Sequence, residues 1–297
     1  GNIADNLTHS LVSDNSSVKV DTTLPTVSSV AITDAAGVQN SFVNAGDNVS
    51  VTATFSEAVI VDNSSGNPTL TLAVGSDNRT ATYTSGSGST ALVFRYTIQA
   101  GDNDSDGISI RQDVLALNNG TIRDPALNNA TLTHSLVSDN SSVKVDTTAP
   151  SVDNFTMSDT ELKIGDNATV TLVFSEPICG DNATSGCSRT QTGGVDFSSA
   201  DITIPNLDNN TPSGTLSTMT SDDNRTWIGI FTPTPNAEDD NNTLSLATTY
   251  TDLAGNNGPA ETTANYEVDT LAPTVSSVAI TDADGDQTLG VYGFVNA

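Results

Sequence analysis

Apolar and polar residues alternate one by one along several short stretches of this chain. The clearest stretch is VSVTATF at residues 49–55, and the same period of two recurs at residues 92–98 and 170–174. This period is typical of β-strands that bury one face. Turn-forming residues separate the stretches, as in AGDNDSDG at residues 100–107. No convincing helical period is present, so the pattern predicts an all-β fold of short strands.

An internal repeat divides the chain into units. Residues 8–25 and 133–150 differ at one position, where Leu24 corresponds to Ala149, and TVSSVAITDA follows both Pro25 and Pro273. Fixed-period similarity indicates a tandem array. We therefore predict one domain at 24–145 (the first unit) and another at 149–268 (the second unit). Residues 1–20 are predicted to end a preceding domain, and residues 272–297 to begin a following one.

The size of each unit narrows the fold further. About seven short strands in roughly 120 residues predict a two-sheet sandwich of immunoglobulin (Ig) type. The predicted architecture is a series of Ig-like β-sandwich domains joined by short linkers that contain proline.

The charge of the chain excludes some partners. Lysine and arginine total 9 against 36 acidic residues, which gives a net charge of −27. Nucleic acids and anionic membrane surfaces need clustered basic residues, so neither is an expected partner. No apolar run approaches the roughly 20 residues of a membrane helix, so no membrane insertion of this segment is expected. Cations are the natural counter-species of such a surface.

Several phrases resemble the Ig-like repeats of giant bacterial and archaeal surface proteins and adhesins. ATFSEAVIVD and VDTTAP in the first unit are similar to the flagellar-system-associated surface repeat. TLVFSEPI, TWIGIFTPTP and YTDLAGNNG in the second unit resemble the Ig-like modules of repeats-in-toxin adhesins. The resemblance implies an extracellular, cell-surface location and a structural role as a stiff extender in adhesion. Its partners would be neighbouring Ig-like domains of the same or identical chains.

Other functions stay open at this point. The modules could tile into a self-assembling surface layer or filament, or act as a carbohydrate-binding module. Trp227 is expected to pack in a core rather than to stack on a sugar. His9 and His134 occupy equivalent repeat positions, which favours a strand-surface role over a catalytic base. No catalytic motif such as G-x-S-x-G or H-E-x-x-H is present, so no enzyme is predicted.

One acidic loop has the spacing of a calcium site. Asp102, Asp104 and Asp106 alternate before Gly107, and Asp113 stands at the twelfth position. Alternating carboxylates can surround one Ca²⁺, and the glycine allows the sharp turn that this requires. The alternative is a solvated hairpin loop that uses Asp and Asn for its turn geometry.

The linkers form a second class of candidate calcium site. Asp21, Asp146 and Asp269 each stand shortly before a proline, which stiffens the chain by fixing φ. Resemblance to the calcium-rigidified linkers of adhesins implies partners from the SE and DLAGN segments or their counterparts, namely Glu57, Glu176, Asp124 and Asp252. Which of these pair with which linker is open. The alternative is that each aspartate only caps a turn before the proline.

Two covalent modifications are also predicted. Cys179 and Cys187 stand eight positions apart, and a disulfide between them fits an extracellular setting, although unlinked thiols are the alternative. Asn-x-Ser/Thr sequons are unusually frequent and predict a glycoprotein, although turns rich in Asn, Ser and Thr would produce the same pattern. The candidate glycosylation sites are Asn6, Asn15, Asn48, Asn63, Asn78, Asn103, Asn119, Asn129, Asn140, Asn154, Asn167, Asn182, Asn209, Asn224 and Asn241.

Overall fold

A computed structural model describes residues 13, 15, 17–180, 197–207 and 210–278 of the chain. Within these residues the protein consists of β-strands and one 3-10 turn, η1 (Ser199–Asp201), so the all-β prediction is confirmed. None of the helical structure in the described ranges has the length and apolar character needed to cross a membrane.

The first unit is built around one long strand. Its strands are β1 (Val27–Ala36), β2 (Phe42–Val43), β3 (Asn48–Asp62), β4 (Thr69–Val74), β5 (Asp77–Ser85), β6 (Ser89–Thr97), β7 (Asn103–Asp104), β8 (Leu115–Ala116), β9 (Thr121–Arg123) and β10 (Lys144–Asp146). The larger sheet has the order β1-β3-β6-β5-β4-β8, and a smaller sheet has the order β2-β10-β7. Strand β3 buries Val49, Val51, Ala53 and Phe55, as the alternation predicts.

The second unit repeats this plan with shorter strands. They are β11 (Val152–Met157), β12 (Glu161–Lys163), β13 (Ala168–Phe174), β14 (Ile202–Thr203), β15 (Gly214–Leu216), β16 (Thr226–Pro233), β17 (Glu238–Asn242), β18 (Ser245–Leu246), β19 (Glu261–Thr262) and β20 (Tyr266–Asp269). One sheet has the order β11-β13-β16-β15. The others have the orders β12-β20-β17 and β14-β18-β19.

The last strand of each unit returns to the start of that unit. Strand β10 pairs in parallel with β2, and β20 pairs in parallel with β12. The main-chain bonds also correspond, because Lys144 N donates to Ser41 O and Glu267 N donates to Thr160 O, both over 2.8 Å. The linker that follows each last strand therefore leaves from an equivalent place in each unit.

Each unit has its own hydrophobic core. One set of packed, buried side chains runs from Val43 to Val145, and the other runs from Phe155 to Val268. Trp227 is completely buried in the second core, where its ring lies edge-on to Phe197 with 5.0 Å between centroids. The prediction that Trp227 packs in the core is confirmed, so this side chain offers no platform for a sugar.

The repeated tail is packed in one copy and exposed in the other. Val143 and Val145 are buried in the first unit, with 6% and 0% of their surfaces exposed. The residues at the matching repeat positions, Val18 and Val20, are 69% and 87% exposed. The segment before Asp21 thus has the sequence of a last strand, but its valines are largely exposed in the described part of the chain.

Candidate metal centre

The structure gathers the linker aspartates with the other carboxylates that the adhesin resemblance implied. Carboxylate oxygens of Asp21, Glu57 and Asp124 lie within 4.8 Å of one another and form the first cluster. Those of Asp146, Glu176 and Asp252 do the same and form the second cluster. Each cluster joins a linker aspartate, a glutamate that follows the Phe-Ser pair in strand β3 or at the end of β13, and a loop aspartate near the end of the unit.

A serine fixes the position of each glutamate beside the linker. Ser56 precedes Glu57, accepts a hydrogen bond from Thr26 N at 3.0 Å and donates its own N–H to Thr26 O at 2.8 Å. Ser175 exchanges the same two bonds with Ser151, each at 2.9 Å. Because Thr26 and Ser151 directly follow the linker prolines, these bonds bring each glutamate next to the linker.

The loop aspartates are held by their own loops. Asp124 is fully buried, and Asn128 donates to it from both its main-chain N–H (2.8 Å) and its amide Nδ2 (2.7 Å). Asp252 is 2% exposed and receives the same pair of bonds from Asn256, at 2.9 and 2.8 Å. Both aspartates are therefore pre-oriented toward the linker.

The same asparagines also bind the linkers. Asn128 Nδ2 donates to the main-chain oxygen of Asp21 at 3.1 Å, and Asn256 Nδ2 donates to that of Asp146 at 3.1 Å. The sequence analysis did not include either asparagine among the candidate site residues. The sequence does contain a pattern that could have identified them, since both units carry the spacing D-x-x-x-N in RDPALNN and TDLAGNN.

The linker aspartates also cap turns, as the alternative interpretation predicted. Oδ1 of Asp21 accepts from Thr23 N at 3.0 Å, and Oδ1 of Asp146 accepts from Thr148 N at 2.9 Å. Asp269 makes the corresponding contact with Leu271 N at 3.3 Å. At the first two linkers, the aspartate both caps a turn and belongs to a carboxylate cluster. Residues 279–297, which follow the third linker, lie outside the described part of the chain.

Burial, together with like charges, perturbs the carboxylates of the second cluster most. Burial, followed by the charges of Asp146 and Asp252, raises the pKa of Glu176 to about 7. Burial is also the main cause that raises the pKa of Asp252, against the hydrogen bonds from Asn256. A shared cation would stabilise the ionised forms of Glu176 and Asp252 in this cluster.

The first cluster is more exposed. Desolvation and the charges of Asp21 and Asp124 raise the pKa of Glu57. Desolvation also acts to raise the pKa of Asp124, but the hydrogen bonds from Asn128 and the loop outweigh it and lower that pKa. The two clusters contain the same types of carboxylate ligand, two aspartates and one glutamate, but the second cluster is more buried than the first.

The acidic loop at residues 102–113 differs from the expectation of a calcium site. Asp102 is 1% exposed and is bound by Arg79 Nε and Tyr96 Oη, each at 2.5 Å. Asp104 accepts from Gly75 N and Gly107 N at 2.8 Å each. A carboxylate that is neutralised by a guanidinium is a poor ligand for a cation, and among the described residues this loop forms no cluster of three carboxylates.

The other two aspartates of that loop, Asp106 and Asp113, do not join Asp102 and Asp104 in a metal site. Asp106 is exposed, and Asp113 is exposed with φ of 58° and accepts from His134 N at 2.8 Å. Asp102 and Asp104 are buried and hydrogen-bonded within the first unit, so the loop is not the solvated hairpin of the alternative interpretation either.

His134 corrects a second expectation. The repeat predicted a strand-surface histidine, but only 8% of His134 is exposed. Its Nε2 accepts from Val114 N at 3.0 Å, so Nδ1 carries the proton and donates to Ser135 O at 2.9 Å. His134 therefore has a structural role, and His9 lies outside the described residues.

The predicted modifications have mixed outcomes. Cys179 is buried and disulfide-bonded, whereas its predicted partner Cys187 lies outside the described residues, so the pairing stays a prediction. Asn224 is only 6% exposed, which excludes it as a glycan acceptor in the folded domain. Three candidate sequons, at Asn6, Asn182 and Asn209, fall outside the described residues, and the others lie at exposed or partly exposed positions.

Comparison with known proteins supports the fold. Residues 181–268 match the family described as bacterial Ig-like domain. Together with the all-β architecture, this match confirms the prediction of Ig-like β-sandwich domains joined by short proline-containing linkers. A search of curated proteins found no match.

The chain has weak similarity to one solved adhesin structure. The chain is similar to FdeC, described as a novel broadly conserved Escherichia coli adhesin that elicits protection against urinary tract infections. The identity is 11% and the TM-score is 0.33, over 81% of this chain. The chain spans 63% of the length of that protein.

Proposed function

We propose that this chain is a structural repeat region of a large extracellular, cell-surface protein, and that it acts as a stiff extender in adhesion. The observation that carries the proposal is the recurrence of one three-carboxylate cluster at two successive joints. A joint that is built twice from matching residues favours a regular shaft, because the same geometry is imposed between successive modules. The disulfide-bonded Cys179 supports an oxidising, extracellular location.

Calcium is the proposed structural cofactor of both clusters. Ca²⁺ takes six to eight oxygen ligands at about 2.3–2.6 Å, so oxygens on opposite sides of one ion are about 4.6–5.2 Å apart. Carboxylate oxygens that lie within 4.8 Å of one another are close enough to bind the same ion. A shared ion would connect each linker aspartate to the unit that follows it, and its charge would offset the burial and the like charges that raise the pKa of Glu176.

Native mass spectrometry and small-angle X-ray scattering test the proposal together. We expect about two calcium ions per chain, and a larger spread of interdomain angles after chelation. The matched variants Glu57→Gln and Glu176→Gln should each weaken binding of one ion, whereas Asp240→Asn, at an exposed residue outside both clusters, should weaken neither. A scattering profile and ion count that chelator leaves unchanged would refute the calcium clamp. Ordered lattices or helical particles would instead favour the surface-layer alternative.

A further inference from the structure

The first unit docks on the second unit through one short loop. Asn40 Nδ2 donates to Leu253 O at 3.0 Å and lies 3.7 Å from Cys179 Sγ. Gln39 packs directly over Gly255, and a Cβ built on that glycine would lie 2.4 Å from Gln39 Nε2. The surface of the second unit that receives this loop therefore includes Cys179, Leu253 and Gly255.

The first unit has an equivalent loop near its own linker. Leu127 N donates to Asp124 O at 3.1 Å, as Gly255 N donates to Asp252 O at 3.3 Å. Both loops have the same length between the aspartate and the asparagine that closes them. Leu127 therefore corresponds to Gly255.

Strand register gives a second correspondence between the two units. The antiparallel β3–β9 pairing places Ile60 opposite the residue before Asp124. In the second unit, Ile178 forms an antiparallel bridge with Asp252, so the next residue, Cys179, stands opposite the residue before Asp252. Cys179 therefore corresponds to Ile60.

The two equivalent surfaces differ in exposure and in polarity. Cys179 is 7% exposed and Gly255 is half-buried where the first unit lies over them. Ile60 is 45% exposed and Leu127 is 70% exposed. Leu127 holds this position although its φ of 73° lies in the left-handed region, which is costly for a leucine. The first unit thus presents apolar side chains at positions that are covered in the second unit.

The linker adds a third exposed apolar side chain. The two copies of the repeated segment differ only at Leu24, which replaces Ala149. Leu24 is 51% exposed and follows Thr23, whose main-chain oxygen accepts a hydrogen bond from Asn128 Nδ2 at 3.3 Å. Because Asn128 is the chain neighbour of Leu127, Leu24 stands near the same surface.

The repeat indicates which module stands in front of this surface. Residues 8–23 are identical to residues 133–148, which contain the last strand of the first unit and the start of its linker. In both copies, the loop asparagine donates to the main-chain oxygen of the linker aspartate at 3.1 Å. A module that ends in residues 8–20 is therefore of the first-unit type, and its linker joins the next unit in the same way.

We propose that Leu24, Ile60 and Leu127 form a docking surface for a preceding Ig-like module of the first-unit type. The loop of that module that corresponds to Gln39 and Asn40 covers the surface, as this loop covers the second unit. The flexible end of the glutamine turns away from the leucine. Burial of the three apolar side chains then stabilises this joint.

This inference rests on the proposed function only in taking the chain as part of a tandem array. The test uses residues 8–297 preceded by an added copy of residues 24–132, so that residues 8–20 complete the added module. The junction preserves the natural repeat, because residue 8 corresponds to residue 133. All measurements are made in chelator, so failure of the calcium clamp and failure of the docking surface are distinguishable.

The readout is the distance between the added module and the first unit. Gln112 is exposed, and Gln112→Cys in both copies provides sites for two spin labels whose distance distribution is measured by pulsed electron–electron double resonance. We expect one narrow distribution, because an apolar interface suppresses the relative motion that is the default between domains.

Removing the apolar side chains should release the joint. Ile60→Thr/Leu127→Asn in the first unit should broaden the distance distribution about twofold. Both side chains are exposed and asparagine tolerates the left-handed conformation, so the first unit should keep its wild-type unfolding midpoint. Ile228→Thr is the matched control, because Ile228 is also 45% exposed but lies on strand β16 of the second unit. It should leave the distribution narrow.

Three outcomes would overturn the proposal. A broad distribution in the extended chain without these substitutions would show that no such module docks on the surface. A narrow distribution in Ile60→Thr/Leu127→Asn would show that the linker alone fixes the joint. Equal broadening in Ile228→Thr would show that the loss is not specific to this surface.

Discussion

Removing the charge of Glu176 is expected to flatten the pH dependence of stability of the second unit when divalent metal is absent. The pKa of Glu176 is raised from 4.5 to about 7 in the folded chain, first by burial and then by Asp146 and Asp252. The folded state therefore holds this proton more tightly than the unfolded state. The resulting stabilisation is fully present below pH 4.5 and is lost as the pH rises toward 7.

The size of the effect follows from the change in pKa. A rise from 4.5 to about 7, at about 1.36 kcal/mol per pH unit, corresponds to about 3.4 kcal/mol over the full range. Linkage places about 2 kcal/mol of this between pH 5.5 and pH 8. The side chain of Glu176 retains contact with solvent, which screens its charge, so about half of that, roughly 1 kcal/mol, is expected.

The single tryptophan makes the measurement specific to the second unit. Trp227 is the only tryptophan of the chain and is completely buried in the second core. Urea unfolding followed by its fluorescence, in chelator at pH 5.5 and pH 8, reports the free energy of unfolding of that unit. Wild type should lose stability between these values, and Glu176→Gln should lose about 1 kcal/mol less.

A substitution in the first cluster provides the control for this measurement. Glu57→Gln changes the first cluster and should leave the Trp227 transition of the second unit with its wild-type pH dependence. Excess calcium should reduce the pH dependence of the wild-type chain, because it holds the carboxylates ionised. If Glu176→Gln and wild type show the same slope, the crowding of carboxylates at the second joint is not what governs this titration.

Two further substitutions test the cores and the acidic loop. Trp227→Ala should destabilise the second unit by about 3–5 kcal/mol through the cavity it leaves, measured by urea unfolding followed by circular dichroism; a loss below about 1 kcal/mol would contradict the packing described. Asp102→Asn should destabilise the first unit by about 2–3 kcal/mol, because it removes the buried charged partner of Arg79 and leaves only the exposed Asp77. The same variant should bind as much calcium as wild type by native mass spectrometry. Loss of one bound ion would show that the loop is a calcium site after all.

The all-β fold could be predicted from local pattern alone. Alternation with a period of two in VSVTATF, and at Val170, Leu172 and Phe174, predicts one buried face, and the structure places these apolar residues in the two cores. The tandem arrangement could be predicted from the near-identical segments, but the sequence did not show that only the second copy packs its apolar residues. Motif spacing was less reliable. The D-x-D-x-D-G spacing of residues 102–107 predicted a calcium loop, but Arg79 is brought to Asp102 from strand β5.

The members of the joint clusters came from resemblance, and their pairing came from the structure. Sequence pattern alone could not place Glu57 beside Asp124, since 67 positions separate them and nothing local encodes that contact. The serines before each glutamate and the asparagines that close each loop complete the arrangement through bonds to the linker. These bonds depend on how the last strand of one unit and the first strand of the next are oriented.

The sequence by itself determined the elements of this protein: its strands, its turns, its units and the acidic residues of its linkers, because these follow from local periodicity and repetition. The tertiary structure decided which carboxylates share a cluster, which are neutralised by arginine, and that Gln39 covers Gly255. The physical reason is that a local pattern records whether a residue is buried. Which distant side chain meets it depends on the geometry of sheets and joints.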